Sequence, residues 1–325
     1  MKRNRRLALA GVLAAIATPW LAAQGRWPTK ALRIVVPFGA GGIADLTARA
    51  VGQKLAEQLG QSVVIDNRPG AGGVSAGELV ARAEPDGHTL LLMSNGTAVS
   101  AGLFRKLPFD AQKDFAPVSL LGTFDIAVLV PENSRLRTLN DLLAQARAQP
   151  GKLNIATVNV GSTQNLAAEL FKSTAGIEAQ VVPFNGTPAL ITALRGGEVD
   201  AAVEILGPVK PQITGKALRA LAVLGDKRPV GLPNVPTAAE TGGVFTGMNI
   251  ASWNALAAPA GTPREVIARL NRELQAALAG ADLKNRLADL NVDARSSTPA
   301  QLGSLLSSEI RRWSEVIARA NIPRQ

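Results

Sequence analysis

The run from Val35 to Asp45 holds the residues of this sequence whose types and spacing best suit the binding of a ligand. Its apolar start gives way to glycines and then to a helical pattern. A strand, a glycine-containing loop and a helix in this order leave the unpaired N–H groups of the helix N-terminus open to a ligand. The positive end of the helix dipole favours an anion at that place. We therefore expect this run to form an anion-binding loop.

The same loop also fits a dinucleotide-binding turn. Gly39, Gly41 and Ala44 match the pattern G-x-G-x-x-A between a strand and a helix. Asp66 ends the next strand, near the place where a dinucleotide fold carries an acidic residue. Two residues separate the first strand from the glycines, however, whereas a dinucleotide turn follows its strand directly. An NAD-dependent oxidoreductase that uses this loop stays open as an alternative function.

A second motif could supply a nucleophile. Residues 73–77 match G-x-S-x-G, which in hydrolases exposes a serine on a sharp turn between a strand and a helix. The general base for Ser75 would have to be His88, the only histidine of the chain. Ser75 follows a long glycine turn instead of a strand end, and small residues that pack along a helix explain the same pattern. A Ser75 hydrolase is the weaker alternative, and we expect His88 in the turn before a strand.

Two carboxylates, Asp45 and Glu204, fall where they could face a ligand. Asp45 lies in the first turn of its helix, where it would either cap the helix or bind a ligand amine. Glu204 ends an apolar strand, where it would face either a cleft or solvent. Neither 36–47 nor 157–170 contains a Lys or Arg. Anion binding by these segments would therefore rest on backbone N–H groups, hydroxyls, helix N-termini and water.

The elements that must position these residues alternate between strands and helices, which predicts parallel sheets. The polar stretches 94–97 and 159–165 each follow a strand, as 37–45 does, and the second repeats the whole strand-loop-helix start. We therefore expect an α/β protein with two lobes. Strands are expected at 32–36, 62–66, 89–93, 126–130, 153–158, 181–182, 199–205 and 218–224, and helices at 44–59, 74–83, from 138 onward, 166–174, 187–194, 263–279 and 299–320.

Composition narrows the class of protein. The chain of 325 residues is long enough for about two domains. Residues 1–23 have the basic and then apolar layout of a secretory signal peptide, with an uncleaved anchor as the alternative. With no Cys and one His the chain offers neither thiolates nor paired histidines for a metal, so no metal or cofactor is expected. The basic residues are scattered along helices without interleaved aromatics, so nucleic-acid binding is not expected.

Motifs spread along nearly the whole mature chain carry a family resemblance. They include the strand and loop at 34–45, Asn67-Arg68-Pro69-Gly70-Ala71-Gly72-Gly73, Pro85-Asp86-Gly87, Leu107-Pro108-Phe109-Asp110, Val182-Pro183-Phe184, Gly196-Gly197-x-Val199-Asp200 and Ala258-Pro259-Ala260-Gly261-Thr262-Pro263. In this order they resemble the Bug family, the extracytoplasmic solute receptors of tripartite tricarboxylate transporters. The resemblance implies a type II periplasmic binding protein fold, with a ligand cleft between two α/β lobes and two crossovers. After the signal peptide at 1–23, one lobe would comprise 24–124 and 226–325 and the other 125–225.

The resemblance also implies a function, that of a periplasmic receptor and not an enzyme. Such a receptor would close its lobes around a small mono- or dicarboxylate or an acidic amino acid and deliver it to the membrane permease subunits of the transporter. It is expected to be a monomer, with no catalytic residue, and to hold its ligand largely through main-chain amides and bridging waters. Together with the residue patterns above, matching positions give these expected ligand-binding residues: Phe38, Ala40, Gly42, Ile43, Asp45, Ser94, Asn95, Thr97, Gly161, Ser162, Thr163, Gln164 and Glu204.

The chain departs from the common pattern of that family at three places. It has Ala44 where relatives commonly carry Thr, Gln164-Asn165 where many have a Ser-Ser or Ser-His pair, and Glu204-Ile205 where Asp-Asn is frequent. These positions are expected to contact the distal end of the ligand. The identity of the carboxylate therefore does not transfer from a relative.

Overall fold

The computed structural model describes residues 27–229 and 231–325, so the expected signal peptide lies outside the described residues. The strands are β1 (Leu32–Val36), β2 (Val63–Asn67), β3 (Thr89–Ser94), β4 (Phe115–Pro131), β5 (Leu153–Val158), β6 (Ala179–Phe184), β7 (Ala201–Ile205), β8 (Leu218–Val223), β9 (Ala251–Pro259) and β10 (Val292–Ala294). The helices are α1 (Ile43–Leu59), α2 (Val74–Ala81), α3 (Asn95–Leu103), α4 (Leu139–Ala148), α5 (Thr163–Ala175), α6 (Thr187–Gly196), α7 (Leu206–Thr214), α8 (Arg264–Ala279), α9 (Ala281–Asp289) and α10 (Pro299–Arg319).

The strands form one mixed sheet whose main path runs β2-β1-β3-β9-β4-β7-β5-β6, while β8 and β10 both pair with β4. Near one end β1 pairs in parallel with β2 and β3. Near the other end β5 pairs in parallel with β6 and β7. The carboxyl ends of parallel strands lie at one edge of a sheet, so the helices that follow these strands begin close together there.

Strand β4 joins the two ends of the sheet. It was predicted to begin at residue 126, but it starts at Phe115 and runs through 17 residues. The pairing of β4 with β9 is irregular around Pro117 and Gly122, but the strand stays in the sheet through these positions. As far as Asp125 β4 pairs with β9, and from Ile126 it pairs with β7. We call β1–β3, β9, β10 and the first part of β4 the β1 side, and β5–β8 with the rest of β4 the β5 side.

Two helices begin within stretches that were predicted as polar loops. Helix α3 starts at Asn95, because Ser94 Oγ accepts a hydrogen bond from Gly96 N (3.1 Å) and Thr97 Oγ1 accepts one from Ser94 N (3.3 Å). Helix α5 starts at Thr163, because Ser162 Oγ accepts from Asn165 N (3.1 Å). Asn, Thr and Gly are poor helix formers, but these caps satisfy N–H groups that would otherwise have no partner. The loop predictions for 94–97 and for the end of 159–165 were therefore wrong.

The long C-terminal helix α10 packs against α3 on the β1 side. Trp313 is almost fully buried there, and its Nε1 donates a hydrogen bond to Asn95 Oδ1 (3.0 Å). Helices α3, α7 and α9 and the short strand β10 were not predicted. Among the residues that the structure describes, no helix is both long and apolar enough to cross a membrane.

Candidate ligand-binding cleft

A cavity of about 430 Å³ lies between the β1 side and the β5 side. None of its lining residues is a Lys, Arg, His, Asp or Glu. They are Phe38, Gly39, Gly42, Ile43, Ala44, Ser94, Phe124, Val158, Asn159, Thr163, Gln164, Gly186, Thr187, Ile205, Ser252 and Asn254.

Four helices begin at this cavity. The capping or first residues of α1, α5, α6 and α7 are all part of the lining. Each helix N-terminus carries a partial positive charge and N–H groups without an intrahelical partner. The cavity is therefore favourable for an anion although no cationic side chain lines it.

Two asparagine side chains in the lining have unused hydrogen-bond donors. Asn159 is 7% exposed and Asn254 is 1% exposed. Neither Nδ2 group has a hydrogen-bond partner within the described part of the chain. An amide NH₂ group can only donate, and leaving a buried donor unpaired costs about 1–3 kcal/mol. A ligand oxygen that accepts from these groups would remove that cost.

A second cavity, of about 360 Å³, adjoins the first and shares Phe38, Ser94 and Asn159 with it. Glycines of the 70–77 segment and residues 159–162 form much of its wall. A Cβ atom would not fit at several of these glycines, so close packing around the glycine backbone shapes the second cavity.

The expected ligand-binding residues divide into three groups. Phe38, Gly42, Ile43, Ser94, Thr163 and Gln164 line the first cavity. Thr97, Gly161 and Ser162 line the second cavity. Ala40, Asp45, Asn95 and Glu204 line neither. Contact between any of these residues and a ligand remains a prediction.

Asp45 is buried beside the first cavity and is held by its own helix and loop. Its Oδ2 accepts from Gly41 N (2.9 Å), and its Oδ1 pairs with Arg49 at 2.9 Å. Burial alone would raise the pKa of the Asp45 carboxyl, but the hydrogen bonds from Arg49 and Gly41 outweigh it and lower the pKa. Of the two interpretations of Asp45, the geometry favours the helix cap.

Glu204 is also fully buried, so it does not face solvent. Its carboxylate accepts hydrogen bonds from Gln164 Nε2 (2.8 Å), Thr187 Oγ1 (3.2 Å) and its neighbour Ile205 N (2.7 Å). Burial raises the pKa of the Glu204 carboxyl. The carboxylate therefore lies directly behind two residues of the cavity lining, at the point where α5, α6 and α7 begin.

Sequence reasoning did not nominate the residues that β9 supplies. Ser252 and Asn254 both line the first cavity, and β9 lies between β3 and β4 in the sheet. The two residues are separated by one position, so their side chains point to the same face of the strand. Two polar residues on one face of an otherwise apolar strand are the signal that could have identified them.

The two sides of the cleft touch in this conformation. Gly72 N donates to Val160 O (2.8 Å), and Ser252 Oγ donates to Thr163 Oγ1 (3.2 Å). Gly39 packs against the β5 side so closely that a Cβ added to it would lie 2.6 Å from Asn185 O. The structure therefore describes a closed cleft.

The residues of the two enzyme motifs have other partners. Asp66, which a dinucleotide site would use to bind a ribose, pairs with Arg33 and Arg68. His88 Nε2 accepts from Thr29 N (3.2 Å), and its Nδ1 lies 3.2 Å from Asp86. His88 lies just before β3, as predicted. Within 27–229 and 231–325, no group of three or more His, Asp or Glu side chains is arranged to hold a metal ion.

Comparisons with known proteins agree with this architecture. Residues 47–322 match the model of the family described as "Tripartite tricarboxylate transporter family receptor". Protein BugT of Bordetella pertussis is 34% identical over 322 residues, which cover 98% of this chain and 98% of BugT.

Two solved structures from Rhodopseudomonas palustris are also similar. MatC, with bound malate, is 33% identical with a TM-score of 0.85, over 90% of this chain and 100% of MatC. Rpa4515, with adipate, is 33% identical with a TM-score of 0.88, over 91% of this chain and 99% of Rpa4515. The α/β fold of a periplasmic binding protein, which the sequence predicted, is confirmed.

Proposed function

Because this chain belongs to the tripartite tricarboxylate transporter receptor family, which includes the Bug proteins, we propose that its uncharged cavity binds a small carboxylate. As a member of that family it is a periplasmic solute-binding receptor and not an enzyme, which excludes the oxidoreductase and hydrolase alternatives. The transporter that it serves lies in the membrane. In this proposal the carboxylate is captured in the cavity between the two sides and passed to the permease subunits.

The unpaired amide groups of Asn159 and Asn254 carry the proposal. A carboxylate accepts several hydrogen bonds and cannot donate one, so it complements two NH₂ groups that can only donate. Hydrogen bonds to a charged group contribute about 1.5–3 kcal/mol each, which is more than a neutral pair contributes. The four helix N-termini around the cavity favour the same charge. Malate in MatC and adipate in Rpa4515 are both carboxylates.

Closure of the cleft follows from contacts on both sides. Phe38, Gly42, Ile43 and Asn254 belong to the β1 side, whereas Thr163 and Gln164 belong to the β5 side. A ligand that contacts both sides binds the closed form more tightly than the open form. This difference in affinity stabilises the closed conformation. We propose that the lobes comprise 24–124 with 226–325, and 125–225. The change of partners along β4 at residue 125 supports this boundary.

The proposal extends to the other expectations from the sequence. The receptor would act as a monomer after removal of the signal peptide at 1–23. Intact mass spectrometry of protein from the periplasm and light scattering of the purified protein test these two points.

The function is tested by titration calorimetry on protein freed of co-purified ligand by unfolding, dialysis and refolding. The titrants are mono- and dicarboxylates of two to eight carbons, with amines of matching length and NAD as controls. We expect at least one carboxylate to bind and neither the amines nor NAD to bind. Binding of NAD without binding of any carboxylate would overturn the proposal.

A further inference from the structure

The hydrogen bonds of Glu204 determine which atoms of its neighbours are left for a ligand. Gln164 and Thr187 line the first cavity and are buried, and both donate to the carboxylate behind them. Thr187 has a single hydroxyl hydrogen, so its oxygen can only accept on the side of the cavity. No described residue donates to Gln164 Oε1, which is the acceptor end of that amide.

The first cavity therefore offers side-chain donors at two residues and acceptor oxygens at two others. The unpaired Nδ2 groups of Asn159 and Asn254 can only donate, while the oxygens of Gln164 and Thr187 are left to accept. A carboxylate complements the donors. A second carboxylate beside Gln164 and Thr187 would meet two acceptor oxygens. A hydroxyl or ammonium group would complement the acceptors.

We propose that Glu204 selects the distal group of the ligand. By holding the donors of Gln164 and Thr187 it favours a carboxylate whose other end donates a hydrogen bond, such as a hydroxy acid or an amino acid, over a dicarboxylate. This inference rests on the proposed function and narrows its ligand class. Glu204 is a positioning residue, because it acts through two side chains of the lining and does not itself line the cavity.

The variant Glu204→Gln tests this role, because it keeps the size of the side chain and replaces the carboxyl group with an amide. The amide of Gln at this position can donate to Gln164 Oε1, so the Gln164 NH₂ group becomes free to face the cavity. That NH₂ group could then donate a hydrogen bond to a second carboxylate of the ligand. A matched change on the surface, Glu178→Gln, serves as the control because Glu178 is exposed and lines neither cavity.

The measured quantity is the ratio of dissociation constants for two acids of equal chain length. Suitable pairs are succinate with 4-hydroxybutanoate or 4-aminobutanoate, and adipate with 6-hydroxyhexanoate. In the wild type we expect the donor-ended acid of a pair to bind more tightly. Glu204→Gln should shift the ratio at least about tenfold toward the dicarboxylate, since one hydrogen bond to a charged group changes affinity by about this factor. Glu178→Gln should leave the ratio unchanged.

A residue that merely held the fold together would weaken both acids of a pair by the same factor. An unchanged ratio in Glu204→Gln, or a wild type that prefers the dicarboxylate, would therefore overturn the inference while the proposed function stands. If no acid binds to the wild type, the proposed function fails and the inference fails with it.

Thr187→Val provides a second, independent test. It keeps the shape of the side chain and removes one acceptor oxygen from the cavity. We expect the donor-ended acid to lose several-fold in affinity, with a smaller change for the dicarboxylate. Equal losses for both acids would contradict the inference even if Glu204→Gln did not fold.

Discussion

Asp45 and Glu204 are two buried carboxylates on opposite sides of the same cleft, and their surroundings differ. Both lie where a helix begins next to the cavity. Asp45 has a cationic partner, Arg49, and a hydrogen bond from its own loop. Glu204 has only uncharged donors, and two of them are side chains of the cavity lining. The pKa is lowered for Asp45 and raised for Glu204.

This difference shows how an acid beside a binding site can serve either the fold or the ligand. When a cation and the local backbone satisfy a carboxylate, its charge stabilises the helix that it caps. When uncharged side chains of a cavity satisfy it, the carboxylate determines which of their atoms remain for a ligand. Position in the sequence does not distinguish the two cases, because both acids are next to a helix N-terminus.

The largest effect is expected when the two sides of the cleft are kept apart. In Gly39→Ala the new Cβ would lie 2.6 Å from Asn185 O, so the β1 side could no longer reach the β5 side. We expect ligand affinity to fall at least about tenfold, because contacts from both sides stabilise the closed form. The matched control is Gly196→Ala, where the nearest atom would lie 3.9 Å away. Equal affinities for the two variants in titration calorimetry would contradict this account of closure.

Replacing Arg49 should leave Asp45, like Glu204, as a buried carboxyl group without a cationic partner. The Asp45 side chain is 3% exposed, so Arg49→Met leaves a buried charge without its partner. Since Arg49 is itself half exposed and screened by water, we expect the free energy of unfolding to fall by only about 1–2 kcal/mol. Chemical denaturation measures this change. The exposed ion pair of Arg82 and Glu78, also four residues apart on a helix, provides the control Arg82→Met, which should have no measurable effect.

The two acids should also give opposite dependences of stability on pH. A lowered pKa means that Asp45 stabilises the native state above its ordinary pKa, and that this contribution is lost as the pH falls through the lower native value. Asp45→Asn should therefore be less stable than the wild type near pH 7, and the difference should shrink below about pH 4.

For Glu204 the sign is reversed. Its native pKa is raised, so the native state loses stability as the pH rises from the ordinary pKa of a glutamate through the higher native value. No described Lys, Arg or His pairs with its carboxylate. Glu204→Gln should therefore be more stable than the wild type near pH 7, with the gain disappearing in acid. If the free energy of unfolding changed with pH in the same direction for both variants relative to the wild type, the proposed difference between Asp45 and Glu204 would be contradicted.

The smallest effect is expected for the affinity of the ligand when Asp45 is replaced. Asp45 lines neither cavity, so Asp45→Asn should alter the affinity for any bound acid less than about twofold. Calorimetry on an acid with an amine and on one without provides the measurement. A loss confined to the acid with the amine would show that Asp45 contacts the ligand.

The sequence predicted most of the strands and helices, because apolar periodicity and glycine turns are local signals. It missed α3 entirely and placed the start of α5 three residues too late, because Ser94 and Ser162 form caps whose strength depends on hydrogen bonds and not on helix propensity. It also missed Asn254, since only the sheet order brings β9 next to β3 and β4 at the cleft. The partners of Glu204 likewise depend on side-chain geometry that no pattern of residues reveals, whereas Arg49 follows Asp45 by four residues, a spacing that is visible in the sequence.

The central claim is that buried amide donors, without a cationic side chain, hold the carboxylate. Asn254→Leu tests it most directly, because the change removes one unpaired NH₂ group from the cavity at nearly the same side-chain size. With the tightest-binding acid, titration calorimetry should show a loss of affinity of about tenfold or more. The free energy of unfolding of the ligand-free variant should be unchanged or higher, since a buried unpaired donor is gone. An unchanged dissociation constant would contradict the claim.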